Sequence, residues 1–251
     1  MQLISLLFDM FLYRPLMNAL ILLYQIIPGN DFGIAIILLT VLIRLVLYPL
    51  SAKGIQSQRA ITEIQPKIKE TQEKYKNDKE RQVKEVLNVY KEAKINPFSG
   101  FLPLFIQLPV LIALYKVLWG VQELEAGILY GFISHPGYIN FLFLGIIDLA
   151  KSGMIEVDGG SSFLLGNMLI IIGAGVAQFF QMKMITVQKR ETKGKKDATQ
   201  EMADKIQKQM LYFFPFFTIF ILLRLPSAIA LYWLIGTVFS IIQQHFILKK
   251  I

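Results

Sequence analysis

The sequence predicts an all-α integral membrane protein with five core transmembrane helices, a cytoplasmic helical hairpin and an N-terminal interfacial helix. Hydrophobic residues make up 54% of the 251 residues and charged residues only 18%, whereas soluble domains carry about 25% charged residues. The mean hydropathy is +0.50, and the apolar residues cluster in long runs that alternate with basic segments. Such runs are typical of helices that cross a bilayer.

The composition also excludes several kinds of functional site. Cysteine is absent, which excludes disulfides, thiolate metal sites and a cysteine nucleophile. With only two histidines, His135 and His245, the sequence predicts no metal site. It contains no P-loop, no glycine-rich phosphate fingerprint and no HExxH motif, so we expect neither an enzyme nor a bound cofactor. Cytoplasmic basic loops explain the net charge of +8 without DNA as a partner.

Residues 1–29 are apolar but contain Asp9, Arg14, Pro15 and Asn18. The apolar run has no basic residues at its start and no small-residue cleavage site at its end, so the segment does not resemble a removable signal peptide. Because charges inside a span are costly, we predict an amphipathic helix that lies in the outer membrane interface. A sixth span is the alternative, since the weak local charge does not exclude it.

The rest of the chain divides where its polarity changes. The first span follows the turn Pro28-Gly29-Asn30-Asp31. The last apolar stretch is too long for one helix, and its break at Arg224-Leu225-Pro226-Ser227 predicts a tight transmembrane hairpin. The predicted segments are spans at 30–50, 98–119, 162–184, 210–225 and 226–248, a cytoplasmic hairpin at 51–97, an extracytoplasmic segment at 120–161, a cytoplasmic basic loop at 185–209 and a cytoplasmic tail at 249–251.

The hairpin segment shows two apolar faces at helical spacing, which we expect to pack on each other. Asn77 and Glu80 predict the N-cap and the N3 acid of its second helix. The first face comprises Ile61, Ile64 and Ile68, and the second comprises Val83, Val86, Leu87 and Tyr90.

The distribution of lysine and arginine predicts the orientation. Residues 51–96 carry eleven basic and seven acidic residues, and residues 185–209 carry seven and four. Residues 120–161 carry one lysine against five acids. Because basic loops remain in the cytoplasm, we predict an N-terminus outside and a C-terminus in the cytoplasm.

Arg44 is the strongest candidate for a functional residue. It lies about six residues, or about 9 Å, from the cytoplasmic end of its span, and an arginine at a helix centre costs about 2.5–3.5 kcal/mol. Between Phe32 and Leu50, and in the other four predicted spans, there is no acidic residue, so Arg44 either faces a hydrated cavity or snorkels to the inner headgroups. Thr40 lies one turn deeper on the same face, where it either extends a polar stripe or bonds to its own backbone.

Four more residues are candidates on weaker grounds. Gln178 and Gln181, at i and i+3, place two amides on one face of the third span, as cavity lining or as contacts between helices. Tyr232 and Trp233 lie early in the last span, where interfacial aromatic residues need no further function. Structural or interfacial positions are expected for Gln107, Gln243, Gln244, Lys116 and Arg224.

Four stretches resemble the YidC/Oxa-type membrane protein insertases, in the family's order and at similar spacing. They are Gly33 to Arg44 with Tyr48-Pro49-Leu50; Gln65-Pro66-Lys67-Ile68 with Asn77-Asp78-Lys79; Asn96-Pro97 through Gly100, Pro103, Gln107 and Pro109 to Ala113-Leu114-Tyr115; and Pro226-Ser227 through Tyr232-Trp233 to Ile241-Ile242-Gln243-Gln244. Unlike many members, this sequence shows no large outside domain and no lipoprotein signal before the first span. Its outside segment before Ser162 is also longer.

The resemblance implies a bacterial plasma (inner) membrane insertase and chaperone, with five spans around a hydrophilic groove open to the cytoplasm and to lipid. In the family, an arginine at the place of Arg44 lines this groove, and Trp233 falls at a groove-facing aromatic position. The predicted client-binding groove therefore comprises Arg44, Thr40, Gln178, Gln181, Trp233 and Tyr232.

The implied partners are nascent membrane proteins and membrane lipids, with the ribosome, targeting factors and the Sec translocon as further partners. A small-solute transporter or channel is the main alternative function, although the sequence shows no internal repeat of the kind that such proteins contain. A purely structural partner of a larger translocon is a second alternative.

Overall fold

The computed structural model describes residues 2–96, 99, 102–157, 160–186 and 198–249. The predicted features at Pro97, Gly100 and Asp158-Gly159, residues 187–197 of the basic loop, and the tail beyond Lys249 lie outside the described residues. The helices are α1 (Gln2–Phe8), α2 (Arg14–Ile26), α3 (Phe32–Val46), α4 (Tyr48–Lys74), α5 (Lys79–Glu92), α6 (Leu102–Gly120), α7 (Leu165–Thr186), α8 (Ala198–Leu222) and α9 (Ser227–Lys249). A π-helical turn, Asp9–Tyr13, joins α1 to α2.

Helix α9 occupies the centre of the helical bundle and contacts α3, α4, α6, α7 and α8. Residues 121–163, which we name the cap segment, close the end at which α3, α7 and α9 begin. Asn167 in the first turn of α7 donates to the carbonyl oxygen of Asp148 at 2.7 Å and to Oγ of Ser227 at 2.8 Å. The opposite end of the bundle, which carries α4 and α5, is the hairpin end.

The predominantly helical prediction is confirmed, but the cap segment contains two antiparallel β-ribbons that the sequence analysis did not predict. One pairs β1 (Leu142–Phe143) with β2 (Ile147–Asp148), and the other pairs β3 (Met154–Val157) with β4 (Gly160–Phe163). Strands of two to four residues are too short to show the alternating pattern by which strands are found in a sequence.

Length and composition give fewer candidate spans than the five predicted. In the described part of the chain, three helices are long and apolar enough to cross a membrane: Ser5–Ile26, Leu165–Met184 and Ser227–Lys249. A fourth appears if α3 and α4, which meet at a bend of 65°, form one broken span. Two shorter apolar helical stretches, Gln107–Gly120 and Leu211–Leu222, also lie among the residues whose side chains the structure describes, so the five-span arrangement remains a prediction.

The N-terminal helix makes a row of polar contacts at the cap end of the bundle. The contacts extend along about 24 Å of helix, which favours a helix lying across the bundle end, while its length and hydropathy also suit a span. Lys116, for which a structural or interfacial position is expected, is half-exposed at this end and pairs with Asp9. The contacts are Asp9 Oδ1 with Lys116 Nζ (3.6 Å), Arg14 Nε with Ile128 O (3.1 Å), Asn18 Nδ2 with Ile128 O (3.0 Å) and Gln25 Nε2 with Ser134 O (2.7 Å).

In the hairpin, two details of the prediction are wrong. The N-cap of α5 is Asp78, whose carboxylate accepts from the Arg81 amide at 3.1 Å, rather than Asn77; an anionic cap also interacts favourably with the helix dipole. Val83 and Leu87 are exposed, whereas Val89 is buried. Val86 and Tyr90 of the predicted face are half-buried, so the side of α5 that turns away from solvent is centred on Val89 and includes only part of the predicted face.

Residues 198–209, predicted to form part of a cytoplasmic loop, belong to the first turns of α8. This stretch contains neither glycine nor proline and is rich in alanine, glutamine and lysine, which favour helix. High polarity was therefore a poor guide to backbone conformation here.

Candidate functional site

Arg44, in the last turn of α3, packs against Gly236 in α9. A Cβ atom at position 236 would lie 2.6 Å from Arg44 Nη2, so the guanidinium occupies space that exists because residue 236 has no side chain. Position 236 lies about 13 Å inside α9 from its first residue. Because side chains tilt towards the N-terminus of their helix, Arg44 reaches into the bundle, and this geometry differs from snorkelling to the hairpin end.

The Arg44 guanidinium is half-buried and incompletely paired. Its Nε atom is buried and has no hydrogen-bond partner among the residues that the structure describes. The described helices α3, α6, α7 and α9 contain no aspartate or glutamate in their sequences. A partly buried cation to which these four helices offer no carboxylate is costly, and an incoming anion would reduce that cost.

Tyr232 and Gln107 complete the polar cluster around Arg44. The Tyr232 side chain is only 2% exposed, its hydroxyl accepts from Gln107 Nε2 at 2.8 Å, and it lies one helical turn before Gly236, the residue on which Arg44 packs. Thr40 is also buried, and its hydroxyl donates to the carbonyl oxygen of Ile36 at 2.6 Å. Of the two interpretations of Thr40, the backbone bond is the one observed, which leaves its oxygen available as an acceptor.

Tyr232, Gly236, Ser240 and Gln244 recur every four residues on one face of α9, and all four are buried; we name this face the α9 polar row. The Oε1 atom of Gln244 is buried without a partner in the described part of the chain. The expectation that Gln243 and Gln244 lie at the interface is wrong, because α4 packs on this part of α9 and leaves them 3% and 5% exposed. The four-residue spacing was visible in the sequence and was the signal that could have revealed the row.

A cleft at the hairpin end opens beside the last residue of this row. Arg59 in its wall donates from Nη1 to the carbonyl oxygen of Leu248 at 3.4 Å and pairs through Nε with Glu63 at 3.0 Å, which joins α4 to the end of α9. Gln244 belongs both to the cleft and to the α9 polar row, which thus leads from the cleft towards Arg44. The cleft is lined by Ile55, Gln58, Arg59, Thr62, Met184, Gln244 and Leu248.

Gln178 and Trp233 form a second, separate cluster. The Oε1 atom of Gln178 accepts from Trp233 Nε1 at 2.8 Å and from Thr218 Oγ1 at 3.0 Å, so it joins α7, α8 and α9. Gln181 is half-buried one turn further along α7. The structure therefore divides the predicted groove residues: Arg44, Thr40 and Tyr232 lie on the α3 side of α9, and Gln178 and Trp233 on the α7 side.

The sequence of the chain matches a known family. The sequence profile of the 60Kd inner membrane protein family matches residues 22–251. The chain belongs to this family. The predicted resemblance to YidC-type insertases is confirmed, and with its apolar helices the chain is a bacterial inner-membrane protein of the 60Kd family.

Several relatives carry the name membrane protein insertase YidC. The protein from Beijerinckia indica is 35% identical over 247 residues, which cover 96% of this chain and 37% of the relative. Those from Syntrophobacter fumaroxidans and Endomicrobium trichonymphae are each 32% identical, and the alignments cover 94% and 96% of this chain and 38% and 40% of the relatives. This chain therefore spans well under half the length of these relatives.

Proposed function

We propose that the protein inserts client membrane proteins into the bilayer and assists their folding, with Arg44 as the residue that receives them. The observation that carries the proposal is the guanidinium beside Gly236, whose buried Nε has no partner among the described residues. A carboxylate of a client is the natural partner for such a cation, because charge-assisted hydrogen bonds are strong in a poorly solvated site.

In this mechanism the hairpin end faces the cytoplasm, and the N-terminal helix lies in the outer interface. A polar client segment meets a large desolvation cost in hydrocarbon. The cleft and the α9 polar row shorten the distance that the segment has to cross through hydrocarbon. The acidic residue of the client pairs with Arg44, while Tyr232 and Thr40 offer hydrogen bonds. The apolar helix of the client then enters lipid, driven by burial of its surface without ATP from this protein.

The remaining predicted groove residues support the bundle in this proposal. Gln178 holds Trp233 and therefore fixes α7 and α8 to α9 while the α3 side receives the client; Gln181 lies on the same part of α7. The hairpin of α4 and α5 meets ribosomes, targeting factors or the Sec translocon, and lipids surround the apolar helices.

Reconstitution of the purified chain in liposomes tests this function. We expect a client with an acidic, outward-bound tail to be inserted by the wild type, more slowly by Arg44→Lys, and about 10- to 150-fold more slowly by Arg44→Ala, since a hydrogen bond to a charged group contributes about 1.5–3 kcal/mol. Arg224→Ala is the matched control, because Arg224 is exposed in the turn that joins α8 to α9. Insertion by Arg44→Ala at the wild-type rate would contradict the proposed role.

The same liposomes separate the alternatives. A small-solute transporter or channel would release an entrapped solute in the absence of any client. A purely structural translocon partner would insert no client when it is the sole protein present. Insertion without solute release supports the insertase.

A further inference from the structure

The ribbon of β1 and β2 exposes an apolar surface on the cap segment. Residues 136–147 contain no charged side chain. Leu142, Leu144 and Ile146, at alternate positions along the ribbon and its turn, are 37%, 61% and 79% exposed. Exposed apolar groups this close together usually mark a site of contact with a partner or a membrane.

The other face of the ribbon is fixed to the helical bundle. The Phe143 ring packs so closely on Gly33 that a Cβ atom there would lie 2.1 Å from it, and Ile147 packs on Gly166, where the corresponding distance is 2.9 Å. Because successive side chains of a ribbon point to opposite faces, these contacts turn Leu142, Leu144 and Ile146 away from the bundle.

A carboxylate locks the turn of the ribbon to the start of α3. Oδ2 of Asp31 accepts from the Leu144 amide at 2.7 Å, and Oδ1 of the same residue caps α3 by accepting from the Ile34 amide at 3.0 Å. Leu144 and Gly145 have φ angles of 52° and 72°, which produce the tight reversal. The tip is therefore held at the level of the first turn of α3.

That level coincides with the beginning of the apolar surface of α7. Gly166, which receives Ile147, lies in the first turn of α7. From the adjoining Leu165 onwards, α7 exposes large apolar residues at helical spacing along one face, which is the face expected to meet lipid. The exposed members of this stripe are Leu165, Leu169, Ile172 and Val176.

We propose that the tip of the β1–β2 ribbon, formed by Leu142, Leu144 and Ile146, inserts into the lipid leaflet at the cap end and sets the depth of the cap segment. We infer that these three side chains contact lipid rather than a protein, because they lie next to the lipid-facing stripe of α7 and include no polar side chain for a specific protein contact. The proposal rests on the membrane placement in the proposed function but not on the role of Arg44.

Site-directed spin labelling of the full chain in liposomes tests the insertion. Since the sequence has no cysteine, Leu144→Cys and Ile146→Cys each give a single labelling site. Leu169→Cys on the exposed stripe of α7 is the lipid reference, and Ser134→Cys, exposed elsewhere in the cap segment, is the water reference. We expect the labels at 144 and 146 to favour oxygen over a water-soluble nickel complex, as the label at 169 does.

Each other outcome overturns the proposal in a recognisable way. Labels at 144 and 146 that match the one at 134, while 169 reports lipid, place the ribbon in water. Spin–spin broadening that rises with the protein-to-lipid ratio identifies a second copy as the occupant. A label at 169 in water overturns the membrane placement, and with it the proposed function, whereas loss of client insertion alone leaves the ribbon proposal intact.

Discussion

The Arg44 guanidinium occupies the volume that a side chain at position 236 would need. Nη2 lies 2.6 Å from the position of a Cβ atom there, and Nε lies 3.1 Å from it. The two residues are distant in sequence and belong to α3 and α9, so the packing of these two helices decides where the charge lies. The position of Arg44 should therefore be controllable from α9.

Gly236→Ala is expected to move Arg44 without unfolding the bundle. The atom in the way is the free end of a flexible side chain, and alanine in a helix is more stable than glycine by about 1 kcal/mol. We expect insertion of an acidic-tailed client to slow roughly tenfold, which corresponds to about 1.4 kcal/mol, with stability kept. The measurements are the insertion rate and the free energy of unfolding in detergent.

Gly173→Ala is the matched control for this substitution. Gly173 lies in α7, and a Cβ atom there would meet Leu234 at 3.5 Å, an ordinary van der Waals distance. The rate should be unchanged. Equal rates for the wild type, Gly236→Ala and Gly173→Ala would show that the fit of Arg44 against α9 does not matter for insertion.

Gln178→Leu is expected to destabilise the bundle more than Trp233→Phe. The tryptophan substitution removes one of two donors to Gln178 Oε1, at about 0.6 kcal/mol for an average hydrogen bond in a membrane protein. The glutamine substitution removes both bonds and leaves the donors of Trp233 and Thr218 unpaired. Unfolding free energies of the two variants and of the double variant, compared in a cycle, measure the coupling; zero coupling would mean that the bond between Gln178 and Trp233 contributes nothing.

Asn167→Asp is expected to loosen the cap segment more than Asn167→Ala. The amide Nδ2 donates to the carbonyl oxygens of Asp148 and Lys151 and to Oγ of Ser227. A carboxylate oxygen in its place has no hydrogen to donate to the two carbonyl oxygens, and its repulsion from them adds to the cost of about 1–3 kcal/mol for an unsatisfied buried group. Hydrogen exchange of the amides in residues 147–152 measures the opening, and slower exchange in Asn167→Asp than in Asn167→Ala would refute this account.

Local patterns predicted much of this structure, and non-local packing determined the rest. Apolar runs located the helices, and the depth of Arg44 in its span marked it as a candidate. No local sequence pattern predicted the contact of Gln178 with Trp233 or of Arg44 with Gly236, because each contact depends on how separate helices pack. The N-cap of α5 was misplaced by one residue because Asn77 and Asp78 are both good caps.

The ribbon of β1 and β2 was missed for a different reason. Phe141 to Ile147 is apolar but too short to span a membrane, and its strands exist because Phe143 and Ile147 have glycines of α3 and α7 to pack against. Tertiary contact, rather than strand propensity, determines the conformation of this segment.

The most direct test of the role of Arg44 compares two clients in two variants. The clients differ only in whether their outward-bound tail carries aspartate or asparagine, and the proteins are the wild type and Arg44→Ala in liposomes. If Arg44 receives the client carboxylate, the wild type inserts the aspartate client faster than Arg44→Ala does, while the asparagine client is inserted by both at similar rates. An equal loss of rate for both clients in Arg44→Ala would contradict a charge-specific role and reduce Arg44 to a structural residue.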